Sequence, residues 1–256
     1  MNRPLLHHVI EGHGPSVVLI HGVGANLQSW DETVAAYRDG ARFLRMDLRG
    51  HGRSTPIRER YAIEMFAEDI VALLDHHRIA KAHIVGFSLG GLIAQALALG
   101  FPDRCDRVAL LSAVAGRTPE ERDRVVGRLE AIRNGGISAV TGAARDRWFT
   151  DAFARAHPER IDARIKEMLA NDVESYLEAY RVFGQSEFAS RLHEIKHRTL
   201  VLTGEFDVGS NTRMARFMHA EIERSELVIL PQLKHSLLVE APTLVADHVK
   251  RFLTAP

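Results

Sequence analysis

Short, unbroken apolar runs bounded by turn residues, with helical stretches between them, constrain this chain more than any other feature. Four are clear: Val17-Val18-Leu19-Ile20, His83-Ile84-Val85, Val108-Ala109-Leu110-Leu111 and Thr199-Leu200-Val201-Leu202. A strand with one wet face alternates apolar and polar residues, so runs without alternation imply strands covered on both faces. Phe43-Leu44-Arg45-Met46 and Leu227-Val228-Ile229-Leu230 read as two more strands. Helical spacing intervenes, as over Ile63 to His76, where Phe66, Ile70, Leu73 and Leu74 form one stripe and Glu68, Asp69 and Asp75 take other faces. Strand and helix in alternation predict an α/β fold on a mostly parallel, doubly wound sheet.

The pattern breaks between about Gly116 and Arg191. Strand signals vanish there, and charged amphipathic stretches such as Pro119 to Ile132 and Ile161 to Ala170 take over. We therefore expect a helical cap over 116–191, inserted into a core made of 1–115 and 192–256. No internal repeat or Gly/Ser linker separates the two, which predicts one compact body.

Composition narrows the partners. Lys plus Arg number 33 and Asp plus Glu number 33, so no global field draws in nucleic acid or an anionic membrane, and a small molecule is the expected partner. The start, Met1-Asn2-Arg3-Pro4-Leu5-Leu6-His7-His8, lacks the apolar segment of a secretory signal, and no later apolar run reaches membrane-spanning length. A soluble, cytoplasmic protein is the expectation. The single cysteine, Cys105, excludes an intramolecular disulfide; following Phe101-Pro102-Asp103-Arg104, it reads as a turn residue with no chemical role. Fourteen histidines are scattered without His-Glu-x-x-His or a Cys/His cluster, so neither a metal nor an organic cofactor is expected.

The strongest chemical signal is His83-Ile84-Val85-Gly86-Phe87-Ser88-Leu89-Gly90-Gly91-Leu92, a strand leading through Gly-x-Ser-x-Gly into a helix. A serine on so sharp a turn is held up toward solvent, and glycine on both sides removes clashes where the chain passes close. The helix that follows aims unpaired amides and the positive end of its dipole at the same point, so the Leu89 N–H can stabilise a developing oxyanion. The alternative is that Ser88 is an ordinary helix N-cap, but a cap needs no flanking glycines. A phosphate loop is excluded by the absence of Gly-x-x-x-x-Gly-Lys-Ser/Thr. A second oxyanion donor is expected from His21-Gly22-Val23-Gly24-Ala25-Asn26, whose glycines let the Val23 N–H turn inward.

A serine hydroxyl needs a base that titrates near neutrality. His235 follows the late strand in Leu227-Val228-Ile229-Leu230-Pro231-Gln232-Leu233-Lys234-His235, where a doubly wound sheet delivers a loop to its carboxyl edge. The base in turn needs a carboxylate to fix its tautomer. Asp207 closes Leu200-Val201-Leu202-Thr203-Gly204-Glu205-Phe206-Asp207 and gives the chain order Ser, Asp, His; Glu205 is the reserve. Ser210 and Asn211 are better placed than Asp207 to cap the helix that follows.

With these residues in view, the chain resembles the alpha/beta-hydrolase superfamily along its whole length. The resemblance rests on His21-Gly22, Asp47-Leu48-Arg49-Gly50-His51-Gly52-Arg53-Ser54, the Ser88 elbow, Gly204-x-x-Asp207, and His235 followed by Glu240-Ala241-Pro242. It implies Ser88 as nucleophile, Asp207 as acid, His235 as base, and the Val23 and Leu89 amides as oxyanion hole. Arg145-Asp146-Arg147-Trp148-Phe149-Thr150-Asp151-Ala152-Phe153 and Tyr176-Leu177-Glu178-Ala179-Tyr180-Arg181-Val182-Phe183 are similar to 3-oxoadipate enol-lactonases and related ring-cleavage hydrolases. Two departures stand out: Lys234 where many relatives have glycine, and Val208-Gly209-Ser210-Asn211 after the acid.

The expected activity is hydrolysis of a small carboxylic ester or lactone through an acyl-enzyme. Phe87, Trp148 and Phe149, with Phe153, are expected to supply apolar walls, and Arg147, with Arg145 and Arg181, to meet a substrate carboxylate. Hydrolysis of a carbon–carbon bond or an enamide in a ring-cleavage product is the enzymatic alternative. A non-catalytic small-molecule receptor on the same fold is the alternative of another class. A dehalogenase or epoxide hydrolase would place aspartate where Ser88 stands.

Overall fold

The computed structural model describes residues 5–56 and 58–255. Seven strands form one sheet: β1 (His8–Gly12), β2 (Ser16–Ile20), β3 (Arg42–Met46), β4 (Ala82–Phe87), β5 (Cys105–Leu111), β6 (Thr199–Gly204) and β7 (Ser225–Leu230). Their spatial order is β1-β3-β2-β4-β5-β6-β7, with β1 antiparallel to β3 and every other pairing parallel. The six strands expected from apolar runs are all present. β1 escaped the sequence reading because it is a half-exposed edge strand with only two aliphatic residues, and its Glu11 engages Arg45 of β3 by ion pairing rather than by burial.

Helices α1 (Asp31–Tyr37), α2 (Ile63–His76) and α3 (Leu89–Gly100) connect the early strands. Between β5 and β6 lie α4 (Pro119–Gly135), α5 (Thr141–Trp148), α6 (Asp151–Ala156), α7 (Pro158–Leu169) and α8 (Val173–Gln185). The chain closes with α9 (Thr212–Glu221), α10 (Leu237–Glu240) and α11 (Pro242–Thr254). None of the helices among the described residues is long and apolar enough to cross a membrane.

The unbroken apolar runs resolve into two cores because successive side chains on a strand point to opposite faces. Val18, Ile20, Leu44, Ile84, Val108, Leu110 and Val201 face one side, under Phe66 and Ile70 of α2, Leu92 and Leu97 of α3, and Met214 and Met218 of α9. Val17, Leu19, Phe43, Val85, Ala109, Leu111, Leu200 and Leu202 face the other, under Tyr37 of α1 and Val245, Val249 and Phe252 of α11. A third, smaller core, with Ile132, Ile137, Val140, Met168 and Tyr176, lies among the helices between β5 and β6.

The order of strands fixes where a ligand can bind. From β2 the chain steps outward to β3, then returns to β4 on the other side and winds away through β7. The adjacent carboxyl ends of β2 and β4, paired at Ile20 and Gly86, diverge there and leave a crevice at the switch point.

Candidate active site

Ser88 stands in that crevice. It joins β4 to α3 with φ of 56° and ψ of −113°, a backbone conformation that L-residues avoid. Its amide donates to the Leu111 carbonyl of β5 at 2.9 Å, and its carbonyl accepts from Gly91 N at 2.9 Å. The flanking glycines are required by approach distance: a Cβ on Gly86 would collide with the Gly90 carbonyl, and one on Gly90 with the Ile20 carbonyl of β2. Although Ser88 occupies the N-cap position of α3, its side chain makes no capping bond, which sets the plain-cap reading aside.

The turn after β2 packs directly on this serine; a Cβ on Gly22 would sit 3.1 Å from Ser88 Cβ. His21 holds the turn. Its buried Nδ1 donates to the Gly22 carbonyl at 2.7 Å while Nε2 accepts from Leu48 N at 3.0 Å, a pattern that only the neutral imidazole satisfies. Burial, reinforced by the neighbouring His51, keeps its pKa well below the usual histidine value. Val23 lines the cavity in front of Ser88, and Leu89, the first residue of α3, is fully buried behind it.

His235 and Asp207 arrive from the loops after β7 and β6. Phe206 N donates to the Leu233 carbonyl at 2.8 Å, tying the two loops side by side. His235 Nδ1 donates to Asp207 Oδ2 at 2.6 Å, and Asp207 Oδ1 accepts from Gly209 N at 2.9 Å and Ser210 N at 2.8 Å. Full burial would raise the carboxyl pKa, but the His235 charge and these hydrogen bonds outweigh it and hold Asp207 below the ordinary carboxylate value. Glu205, the reserve carboxylate, is exposed and accepts from Gln232 N within the loop. Among the described residues no hydrogen bond joins Ser88 Oγ to the imidazole, although both side chains line the same cavity. Phe87 lines it as well, its ring 5.1 Å from that of His235.

The opposite wall comes from the helices between β5 and β6. Arg147 and Trp148 at the end of α5 line the cavity, as expected, together with Arg128 of α4, Arg164 of α7, and Tyr176, Tyr180 and Phe183 of α8. Phe149 does not: it is buried against Phe153, with which it stacks at 5.8 Å, and neither ring reaches the cavity. Arg145 pairs with Asp162 on the surface, and Arg181 with Glu178 and the Tyr61 carbonyl. Residues at successive helical positions point about 100° apart, so a run read as one wall divides between cavity, cap core and solvent.

Arg147 has no hydrogen-bond or carboxylate partner among the described residues, and burial followed by the nearby Arg128 charge lowers its pKa from the usual arginine value. Arg128 donates to Tyr180 Oη at 2.6 Å and likewise has no carboxylate partner. Sequence reasoning missed Arg128, Arg164 and the two tyrosines because their convergence depends on how four helices pack, not on any local spacing.

The first sequence departure bonds to the segment between β5 and β6. Lys234 Nζ reaches the Asp146 carbonyl at 2.8 Å and Asp151 at 3.5 Å, and Ser236 N donates to the Trp148 carbonyl. Glu240 accepts from Thr150 N and Thr150 Oγ1, both at 2.8 Å. In the loop after Asp207, Asn211 caps α9 by accepting from Met214 N. Cys105, expected in a turn, instead opens β5; buried there, its thiol is pushed up to about 12 and is inert.

A strained serine at the switch point of a covered parallel sheet, facing a histidine–carboxylate pair, defines a hydrolase scaffold. The chain belongs to the alpha/beta hydrolase fold family, which it matches over residues 15–242. It is 28% identical over 228 residues to 3-oxoadipate enol-lactonase 2 of Acinetobacter baylyi, covering 89% of this chain and 84% of that protein. It is 27% identical over 256 residues to (E)-2-((N-methylformamido)methylene)succinate hydrolase of the same organism, covering 98% and 95%. Among solved structures, the enol-lactonase of Burkholderia xenovorans superposes with a TM-score of 0.91 at 30% identity, covering 97% and 96% of the two chains. A thermophilic esterase of Thermogutta terrifontis, solved with malate bound, gives 0.89 at 26% identity, covering 97% and 92%.

Proposed function

We propose that the protein is a serine hydrolase of a small, carboxylate-bearing ester or lactone, with Ser88 as nucleophile, His235 as base, Asp207 as the acid that orients it, and the Val23 and Leu89 amides as oxyanion hole. The observation that carries the reading is the convergence on one cavity of a serine at positive φ and an imidazole whose Nδ1 is already committed to a buried carboxylate. With Nδ1 so engaged, Nε2 is the nitrogen left to accept the serine proton. The hydroxyl attacks the substrate carbonyl, the oxyanion is received by the two amides, and His235 passes the proton to the leaving oxygen. Water, deprotonated by the same nitrogen, then releases the acid. Catalytic hydrogen bonds of this kind tighten in the Michaelis complex, and Ser88 and His235 already line one cavity. The helices over 116–191 act as the cap that excludes water and selects the substrate.

Arg147 supports the choice of substrate. Its guanidinium lines the cavity without a hydrogen-bond partner among the described residues, where a substrate carboxylate could meet it with a charge-assisted pair. The esterase relative that binds malate and the enol-lactonase relatives are consistent with an acidic substrate. Arg128, a second guanidinium without a carboxylate, favours one further reading: a substrate with two carboxylates, hydrolysed at an enamide, as in the relative whose named substrate is a succinate.

A panel of neutral esters, mono- and dicarboxylate esters, lactones and enamides tests both readings. Replacement of Ser88 by alanine is expected to abolish turnover and labelling by a fluorophosphonate. Arg147→Met is expected to raise KM for carboxylate-bearing esters by about tenfold or more, the worth of one charge-assisted hydrogen bond, with neutral esters unchanged. Persisting turnover in Ser88→Ala would refute the nucleophile, and a parent preference for neutral esters would refute the substrate class.

A further inference from the structure

The turn that carries Val23 is poorly supported by its own backbone: its internal bond, from Ala25 N to the Gly22 carbonyl, is long at 3.3 Å. Beyond the His21 bond to the Gly22 carbonyl, its support comes from the cap. Arg164 of α7 donates through Nη1 to the Gly24 carbonyl at 2.8 Å and through Nη2 to the Val23 carbonyl at 3.4 Å. Asn171, between α7 and α8, donates to the same Gly24 carbonyl at 3.3 Å. One helical turn from Arg164, Glu167 pairs with it at 3.2 Å. The turn is thus held at two carbonyls by a guanidinium that is itself paired within one helix. The guanidinium is further fixed over the Trp148 ring at 5.1 Å, and both members of the pair are largely shielded from solvent. Gly24, at φ of +68°, lies so close to Tyr176 of α8 that a Cβ would strike the ring.

Arg164 lines the same cavity as Ser88, yet both of its Nη donors go to the backbone of the turn that carries Val23. We propose that Arg164 and Glu167 are positioning residues for the oxyanion hole: they hold the Val23 peptide so that its N–H faces the reacting oxygen, and the hole is complete only while the cap is seated. The proposal rests on the serine-hydrolase reading above. It couples substrate closure to catalytic competence, because a substrate that draws α7 onto the core also sets the donor.

The test uses p-nitrophenyl acetate, whose lack of charge removes any direct salt link to Arg164. Arg164→Met is expected to lower kcat by about 10- to 100-fold, somewhat less than deletion of a donor outright, with KM within about twofold. Inhibition by phenylboronic acid, whose tetrahedral adduct places an oxygen in the hole, is expected to weaken in parallel. Arg164→Lys, able to serve one carbonyl rather than two, is expected to recover part of the loss. If Arg164→Met fails to fold, Glu167→Ala, which removes the ion-pair partner that orients Arg164, gives the same readout. An unchanged kcat in a folded variant, or lost kcat with boronate inhibition intact, overturns the proposal while leaving Ser88 as nucleophile. A parent that neither hydrolyses esters nor is labelled at Ser88 overturns both.

Discussion

Ser88 carries a backbone conformation that costs roughly 1–3 kcal/mol in an L-residue, and the fold keeps it because β4, α3 and the β5 carbonyl of Leu111 over-determine the turn. Glycine tolerates the same φ, so Ser88→Gly is expected to be more stable than Ser88→Ala by about 1 kcal/mol, both being inactive. Urea denaturation of the two variants checks this; an equal midpoint would mean that the turn is not strained. Asp207 is the second residue where geometry and chemistry separate. Asp207→Asn keeps a side chain of the same shape but offers an amide to His235 Nδ1, favouring the wrong tautomer, and is expected to lower kcat by about 10²- to 10⁴-fold at neutral pH. Steady-state kinetics on any accepted ester measures it, and a loss below about fivefold would remove Asp207 from the mechanism. These residues were legible in the sequence because each lies at the end of a strand, where local pattern alone fixes position. Phe149, Arg145 and Arg181 were not, since a helical run does not reveal which of its faces meets the cavity. The guanidiniums of Arg128 and Arg164 were hidden for the same reason.

Strands covered on both faces announce themselves as unbroken apolar runs, and the two cores on either side of the sheet between them take up every residue of 17–20 and 108–111. The edge strand β1 lacks that signature because one flank is wet and its pairing with β3 rests on main-chain bonds and the Glu11–Arg45 ion pair. Charged α4 also hides its contribution: its stripe buries only Val125 and Ile132, yet a capping box between Thr118 and Glu121 starts it sharply. The crossing of β4, α3 and β2 is the least forgiving contact between elements. Replacing Gly90 by alanine would drive a methyl group into the Ile20 carbonyl, at the place where the turn carrying Val23 leaves β2. Gly90→Ala is therefore expected to cost about 2–4 kcal/mol and to lose activity, whereas Gly100→Ala, at the far end of the same helix with open space around it, is expected to be neutral or slightly stabilising. Thermal melts of the pair decide it, and equal stabilities would contradict the close approach.

Two buried histidines tie the whole molecule's stability to pH. His51, its Nδ1 donating to the Arg49 carbonyl, has burial as the main cause of a pKa lowered to about 4, and its Nε2 has no partner; His21, 5.2 Å away ring to ring, is shifted the same way. In the unfolded chain both return to about 6.5, so on acidification the unfolded state takes up protons first. The stability contributed by their neutrality is fully present above about pH 6.5 and is lost as pH falls toward the folded values, for His51 alone on the order of 3 kcal/mol by pH 4. Glu167 and Glu240 act in the opposite sense, because burial raises their folded pKa values and their contribution grows as the solution is acidified through them. Between about pH 6.5 and 5 the lowered histidines, His77, His83 and His248 among them, draw stability down against these two carboxyls. Urea midpoints at steps across that interval are expected to fall with pH in the parent and to fall less steeply in His51→Gln, which has no proton to take up. Identical slopes would mean that His51 takes up its proton in the folded protein as readily as in the unfolded chain.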